Sequence, residues 1–154
     1  MGIFDRAIVS TRQNHKGRTT RGDAINVIAR AGETNGAVGV FGAIIEPGTG
    51  PVWHVHAREI EIMHVLSGQF RFWCGTEAFD AGADTTVVLP ANVPHRWKNT
   101  GTTQGRLLTV VTPGGFEQNF LDLATLPEMT DEAIARIDQR LECVACPAPE
   151  GAVP

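Results

Sequence analysis

Glycine and proline recur at short intervals through the middle of this chain, and only short apolar runs lie between them. Glycine supplies 17 of the 154 residues and proline 9 more. Ordinary proteins hold glycine nearer ~7%. Punctuation of this kind leaves no room for long helices; it predicts many short strands joined by tight turns, an all-β architecture. The strand candidates are residues 24–29, 38–46, 52–56, 61–66, 69–74, 85–89, 95–99 and 106–112. Ser67-Gly68 reads as a hairpin turn between 61–66 and 69–74. Residues 10–23 are polar and read as a mobile arm or an irregular edge segment. After Pro113-Gly114-Gly115 the pattern becomes helical. Phe116, Phe120 and Ala124 share one face of a short helix. Further on, Thr130 suits an N-cap, Asp131 and Glu132 suit the first turn, and Ile134, Ile137 and Leu141 form an amphipathic stripe.

Hydrophobic residues at 42% and charged residues at 19% supply a packed core and argue against disorder. No run reaches the ~18 apolar residues of a membrane span, and no signal-peptide stretch opens the chain, so a soluble, cytoplasmic protein is expected. A net charge of −4 argues against a nucleic-acid partner. Residues 1–30 carry six basic and two acidic side chains, whereas 117–154 carry eight acidic and two basic ones. Of the three cysteines, Cys143 and Cys146 have C-x-x-C spacing, but no second pair accompanies them. They read as two reduced thiols.

Four of the five histidines fall between residues 54 and 95. His54-Val55-His56 places two imidazoles on one face of a strand. That pair alone suits either metal ligands or a polar strand face. Together with Glu61 and His95 it gives three imidazoles and a carboxylate, a donor set for a first-row divalent ion with open positions for substrate.

The wider spacing carries more information. Gly48, five residues, His54-x-His56, four residues, Glu61, six residues and Gly68 form one motif. Pro90, His95 and Asn99 form most of a second, with Asp84 and Asn92 where glycines are usual. Asn tolerates a positive φ, so the second turn survives, and Gly82 is expected to serve the turn before Asp84. In these motifs the chain resembles the cupin superfamily. It is most similar to single-domain cupins described as similar to quercetin 2,3-dioxygenase, through Trp53–Glu61 and Val111–Glu117.

The resemblance implies a double-stranded β-helix, the cupin jelly-roll barrel, over residues 24–125, with an N-terminal arm at 1–23 and a C-terminal helix and tail at 126–154. It carries over His54, His56, Glu61 and His95 as ligands to one divalent transition metal per subunit: Fe, Mn, Ni, Co, Cu or Zn. Glu59 is expected on the rim, in solvent, because its distance to Gly68 breaks the motif. His64 is expected on the opposite strand face, and His15 in solvent. Strand alternation turns Met63 and Val65 inward with Glu61, and Trp97 inward with His95; with Phe116 and Phe120 they make the expected substrate pocket. The implied activity is a quercetinase-like dioxygenation of a small organic substrate, with Glu61 as the catalytic base and a homodimer as the expected assembly. The alternatives are a metal-dependent isomerase, cyclase or hydrolase, and a non-enzymatic metabolite- or metal-binding protein.

Overall fold

The computed structural model describes residues 6–11 and 15–154. Eleven strands and two helices follow in order: β1 (Lys16–Arg18), β2 (Ala24–Ala29), β3 (Gly39–Ile45), β4 (His54–His56), β5 (Ile60–Ser67), β6 (Gln69–Cys74), β7 (Glu77–Gly82), β8 (Thr86–Leu89), β9 (His95–Asn99), β10 (Gly105–Thr112), α1 (Gln118–Thr125), α2 (Asp131–Leu141) and β11 (Cys143–Ala145). They form two antiparallel sheets, β1-β2-β3-β10-β5-β8 and β11-β4-β9-β6-β7. The fold is a double-stranded β-helix with short C-terminal helices. No strand pairing joins the two sheets among the described residues, so the jelly roll expected is built as a sandwich of two sheets.

Side-chain alternation decides what lies between the sheets. On β5, Glu61, Met63 and Val65 are buried while Ile60 and Leu66 are exposed. On β10, Leu107, Thr109 and Val111 point the same way. Ile45, Phe70, Phe72, Ala81, Val87 and Leu89 complete one apolar cluster with Met63, Val65 and Leu107. A second cluster joins Ile25, Val27, Phe41, Val111, Phe116, Phe120 and Cys143, and it faces the helices.

The hairpin expected at Ser67-Gly68 does not form. β5 pairs with β8 and β10, whereas β6 pairs with β7 and β9 in the other sheet. Gly68 carries the chain between sheets at φ 97°, and a Cβ there would lie 2.7 Å from Gly105 Cα. A tight turn and a tight crossover share the same residues, so sequence cannot separate them. The hairpin partner of β6 is β7, which the sequence reading omits. At the second motif Asn92 takes φ 63°, as expected, but Asp84 itself takes φ 64°, and Gly82 serves that turn through its carbonyl, which accepts from the Thr85 amide at 3.2 Å.

The described residues of both terminal segments include regular structure. β1 pairs with β2, and Arg18 donates to the Leu123 and Leu126 carbonyls at 2.8 Å, capping the C-terminal end of α1. His15 is half-buried, with Nε2 3.7 Å from Glu33, and is not simply solvated. In α1 the inward face is Phe120 and Leu123, with Ala124 exposed. In α2, Thr130 accepts from the Ala133 amide as its N-cap, and Glu142 closes the helix in a left-handed conformation. The tail then adds β11 beside β4. No helix among the described residues is long and apolar enough to cross a membrane.

A buried carboxylate ties the helical segment to the sheets. Glu117 is 1% exposed, and its two oxygens accept from the Ala31 amide at 2.6 Å and the Gly115 amide at 2.8 Å. A Cβ on Gly39 would overlap the Glu117 carboxylate and stand 3.0 Å from Val111 Cγ2. Gly39→Ala is therefore expected to lower stability by about 1–3 kcal/mol in urea denaturation. Gly42→Ala on the same strand, whose Cβ would meet only the Leu107 carbonyl at 3.8 Å, should change it by under about 0.5 kcal/mol.

Candidate metal centre

β4 and β9 lie side by side with His54 opposite His95, and β5 faces them across the sandwich. This brings His54, His56, Glu61 and His95 together, with one donor atom from each lying within 4.8 Å of the others. His56 and His95 stack with ring centroids 5.5 Å apart, and the His54 ring meets both edge-on. His56 is fully buried, His95 and Glu61 nearly so, and His54 is partly exposed.

The backbone fixes how two of these rings present themselves. His54 Nδ1 lies 2.9 Å from the Val52 carbonyl, and His95 Nδ1 lies 2.9 Å from the Val93 carbonyl. A carbonyl only accepts, so each Nδ1 carries a proton, which leaves Nε2 as the nitrogen available to ligate. Burial, aided by the neighbouring His95, lowers the His54 pKa to about 4, so this imidazole is neutral at pH 7. Burial pushes the Glu61 carboxyl up. The close contact with His95 and the field of the three imidazoles outweigh that and hold it below its ordinary value.

Several of these buried atoms lack partners. His95 Nε2 and Glu61 Oε2 are 3.4 Å apart, and neither makes a hydrogen bond. Unpaired polar atoms are costly at such depth. An ion among the three imidazoles and the carboxylate would satisfy them, so this donor set fits a divalent transition metal.

Glu59 is not on the rim. It is 2% exposed, and its Oε2 lies 3.7 Å from His56 Nδ1, with both atoms unpaired. Glu59 shares strand parity with Glu61, so alternation already pointed it inward; motif spacing identifies ligands but not the groups behind them. A carboxylate behind a ligating imidazole fixes its orientation and raises its basicity. His64 lies on the other strand face, bonded to Thr86 Oγ1 at 2.9 Å.

The cluster opens on a cavity of about 320 Å³ between the sheets. Met63, Trp97, Phe116 and Phe120 line it, together with Phe41 and Leu107. Phe116 meets the His56 ring edge-on at 4.3 Å. Val65 does not line the cavity. It is fully buried one pleat further along β5, packed in the first apolar cluster. Asn119, Asp138 and Cys143, which sequence reasoning did not select, do line it. Cys143 reaches the cavity because β11 pairs with β4, and its Sγ lies 3.7 Å from His56 Nε2. Burial pushes its thiol up, so it is protonated, and all three cysteines are free.

Residues 43–111 match the family model described as a cupin domain, a span that contains all four clustered residues. The fold is that of the cupins. The chain is similar to a protein of Streptomyces cyaneus named polyketide synthase CurC, 26% identical over 69% of each chain. It is also similar to protein SchB of Streptomyces halstedii, 30% identical over 54% of this chain and 59% of that protein. Among solved structures it resembles KdgF from Halomonas sp., with TM-score 0.64 at 13% identity, covering 74% of this chain and 99% of that one. An RmlC-like cupin from Shewanella frigidimarina gives TM-score 0.60 at 15% identity, covering 73% and 96%. Strands β4 to β9, most of β10 and the last three residues of β3 lie within the matched domain, whereas α1, α2 and β11 lie outside it.

Elemental analysis of protein purified without chelators should find about one divalent metal per chain, and none, with no uptake on titration, would refute the site. His54→Ala and His95→Ala should abolish tight binding, and His64→Ala should not affect it. Glu59→Gln should weaken binding about tenfold, the usual cost of losing a carboxylate behind a ligating histidine.

Protonation gives a separate check on the metal-free protein. The ordinary pKa of histidine is 6.5, and that of folded His54 is about 4. Between these values the unfolded chain takes up a proton that the folded chain does not. Stability should therefore fall as pH drops from 6.5 to 4 and gain nothing further from this group below that. Urea midpoints measured across this range should show a smaller loss in His54→Gln.

Proposed function

We propose that this protein is a metal-dependent enzyme that acts on an enolic or phenolic small molecule, with a quercetinase-like dioxygenation as its reaction. The observation that carries this is the pairing of a buried carboxylate, Glu61, with three buried or half-buried imidazoles on the wall of an aromatic-lined cavity. A divalent metal held there would polarise an enol or phenol oxygen and favour its ionised form.

The chain's own residues supply the rest. Glu61 is held below its ordinary pKa, so at neutral pH it is ionised and ready to take the hydroxyl proton. Phe116, Phe120 and Met63 give a planar ring an apolar bed, and their burial keeps water from the acidic hydrogen. Phe116 also braces the His56 ring.

A second reading is favoured by the relative named a polyketide synthase. Polyketide chains are rich in enolisable β-dicarbonyl groups. Proton removal by Glu61 from such a substrate would serve an isomerase or cyclase that uses no oxygen. A homodimer is also part of the proposal. Ile44, Leu66 and Val88 are exposed on the outer face of the six-stranded sheet, where Ile62 and Val110 stand between their strands.

An oxygen electrode separates the two reactions. With quercetin, the dioxygenase consumes one O2 per substrate, whereas an isomerase or cyclase changes its substrate's spectrum equally well under argon. In either case Glu61→Gln should lower turnover at least 100-fold while metal content falls far less. Retention of both would remove the general-base role. Light scattering should give about twice the 16.6 kDa chain mass, and the chain mass at every concentration would reject the dimer.

A further inference from the structure

The strands of the six-stranded sheet bury two polar side chains on their inward face, Glu61 on β5 and Thr109 on β10. Both line the cavity. Their strands are neighbours: Thr109 stands opposite Met63, and Glu61, opposite Val111, is the next inward residue along β5. Diagonal neighbours of this kind lie about 7–8 Å apart on one face of a sheet. On its other side Thr109 faces Phe41 of β3, and Leu107 and Val111 flank it along its own strand. Its lateral and axial neighbours on that face are thus all apolar.

The fold gives the Thr109 hydroxyl no partner. The residue is 1% exposed, yet among the described residues no hydrogen bond reaches its Oγ1. Nor is that oxygen sealed in, as Glu61 Oε2 is; it keeps part of the little surface left to a residue that lines the cavity. Thr34, the other buried threonine among the described residues, shows the ordinary arrangement. Its hydroxyl donates to the Val38 carbonyl at 2.6 Å and accepts from the Val38 amide at 3.2 Å. At position 109 a valine of the same shape would fill the space without burying an unpaired hydroxyl, so the partner of this one has to come from outside the chain.

We propose that Thr109 is a specificity-determining residue whose hydroxyl holds a second oxygen of the substrate, a carbonyl or hydroxyl set apart from the enolic one. This rests on the reading of the His–Glu cluster as the place of the enolic oxygen, and it narrows the substrate class. The molecule carries a further oxygen away from its enol, with an apolar or aromatic framework between. A compound lacking that oxygen leaves the threonine unpaired and is bound less well.

Titration calorimetry on the protein as purified tests this with two flavonols. Quercetin carries hydroxyls on both ring systems; 3-hydroxyflavone keeps the 3-hydroxy-4-keto unit and has no other hydroxyl. Thr109→Val should weaken quercetin about tenfold, the usual worth of one buried hydrogen bond, and leave 3-hydroxyflavone within about twofold of wild type. Thr109→Ser, which restores the hydroxyl, should bring quercetin back to within about threefold. Without ligand, the urea midpoint of Thr109→Val should equal or exceed that of wild type, because no bond within the fold is lost. A lower midpoint, or a valine variant that does not fold, overturns the proposal, since the hydroxyl then serves the fold. So does a Thr109→Val protein that binds quercetin as wild type does or loses both probes equally. His95→Ala is the separate arm. If it binds both probes as wild type does, the enol-binding role of the cluster is wrong, whatever Thr109 does. A wild type that binds neither probe removes both readings.

Discussion

Three imidazoles and a carboxylate crowded together inside an apolar sandwich are expensive to desolvate, and the rest of the structure depends on how that cost is met. Two backbone carbonyls, those of Val52 and Val93, take the Nδ1 protons of His54 and His95. Burial keeps His54 neutral, and the contact with His95 outweighs Glu61's own burial and holds its carboxyl below the ordinary value. The rigid ladders of β4, β5 and β9 hold these groups at donor distance without any loop to order. What remains unsatisfied, at His95 Nε2 and Glu61 Oε2, is what a cation would satisfy.

The C-terminal segment does more than cover the sheets. β11 pairs with the strand that bears His54 and His56 and brings Cys143 Sγ to within 3.7 Å of His56 Nε2. α1 supplies Phe120 and Asn119 and is itself held by Arg18 from the N-terminal strand. Glu117 fastens the start of this segment to the loop at Ala31 and to Gly115. The four clustered side chains thus lie in the part that matches the cupin-domain model, whereas much of the cavity wall is built by segments outside it. A division of this kind lets one metal-binding framework accept different small molecules by changing its flanking wall.

The sequence by itself determined the strand-rich fold, the positions of most strands and the four-residue donor set. These are local properties: turn residues set strand lengths, period-two alternation sets which face a side chain takes, and motif spacing registers one strand against the next. Partner choice was decided only by tertiary structure. A glycine at Gly68 permits a hairpin or a crossover; the chain takes the crossover, packed so closely there that a Cβ would lie 2.7 Å from Gly105 Cα. The polar segment around Lys16–Arg18 became a strand because α1 offered it carbonyls to cap, a partner more than a hundred residues away. Asn119, Asp138 and Cys143 entered the cavity for the same reason: helix docking and the β4–β11 pairing are long-range contacts that no local pattern encodes. Even Val65, with the right parity, was placed in the core and not on the cavity wall. Parity fixes the face of a sheet, and only packing fixes how far along that face the cavity reaches.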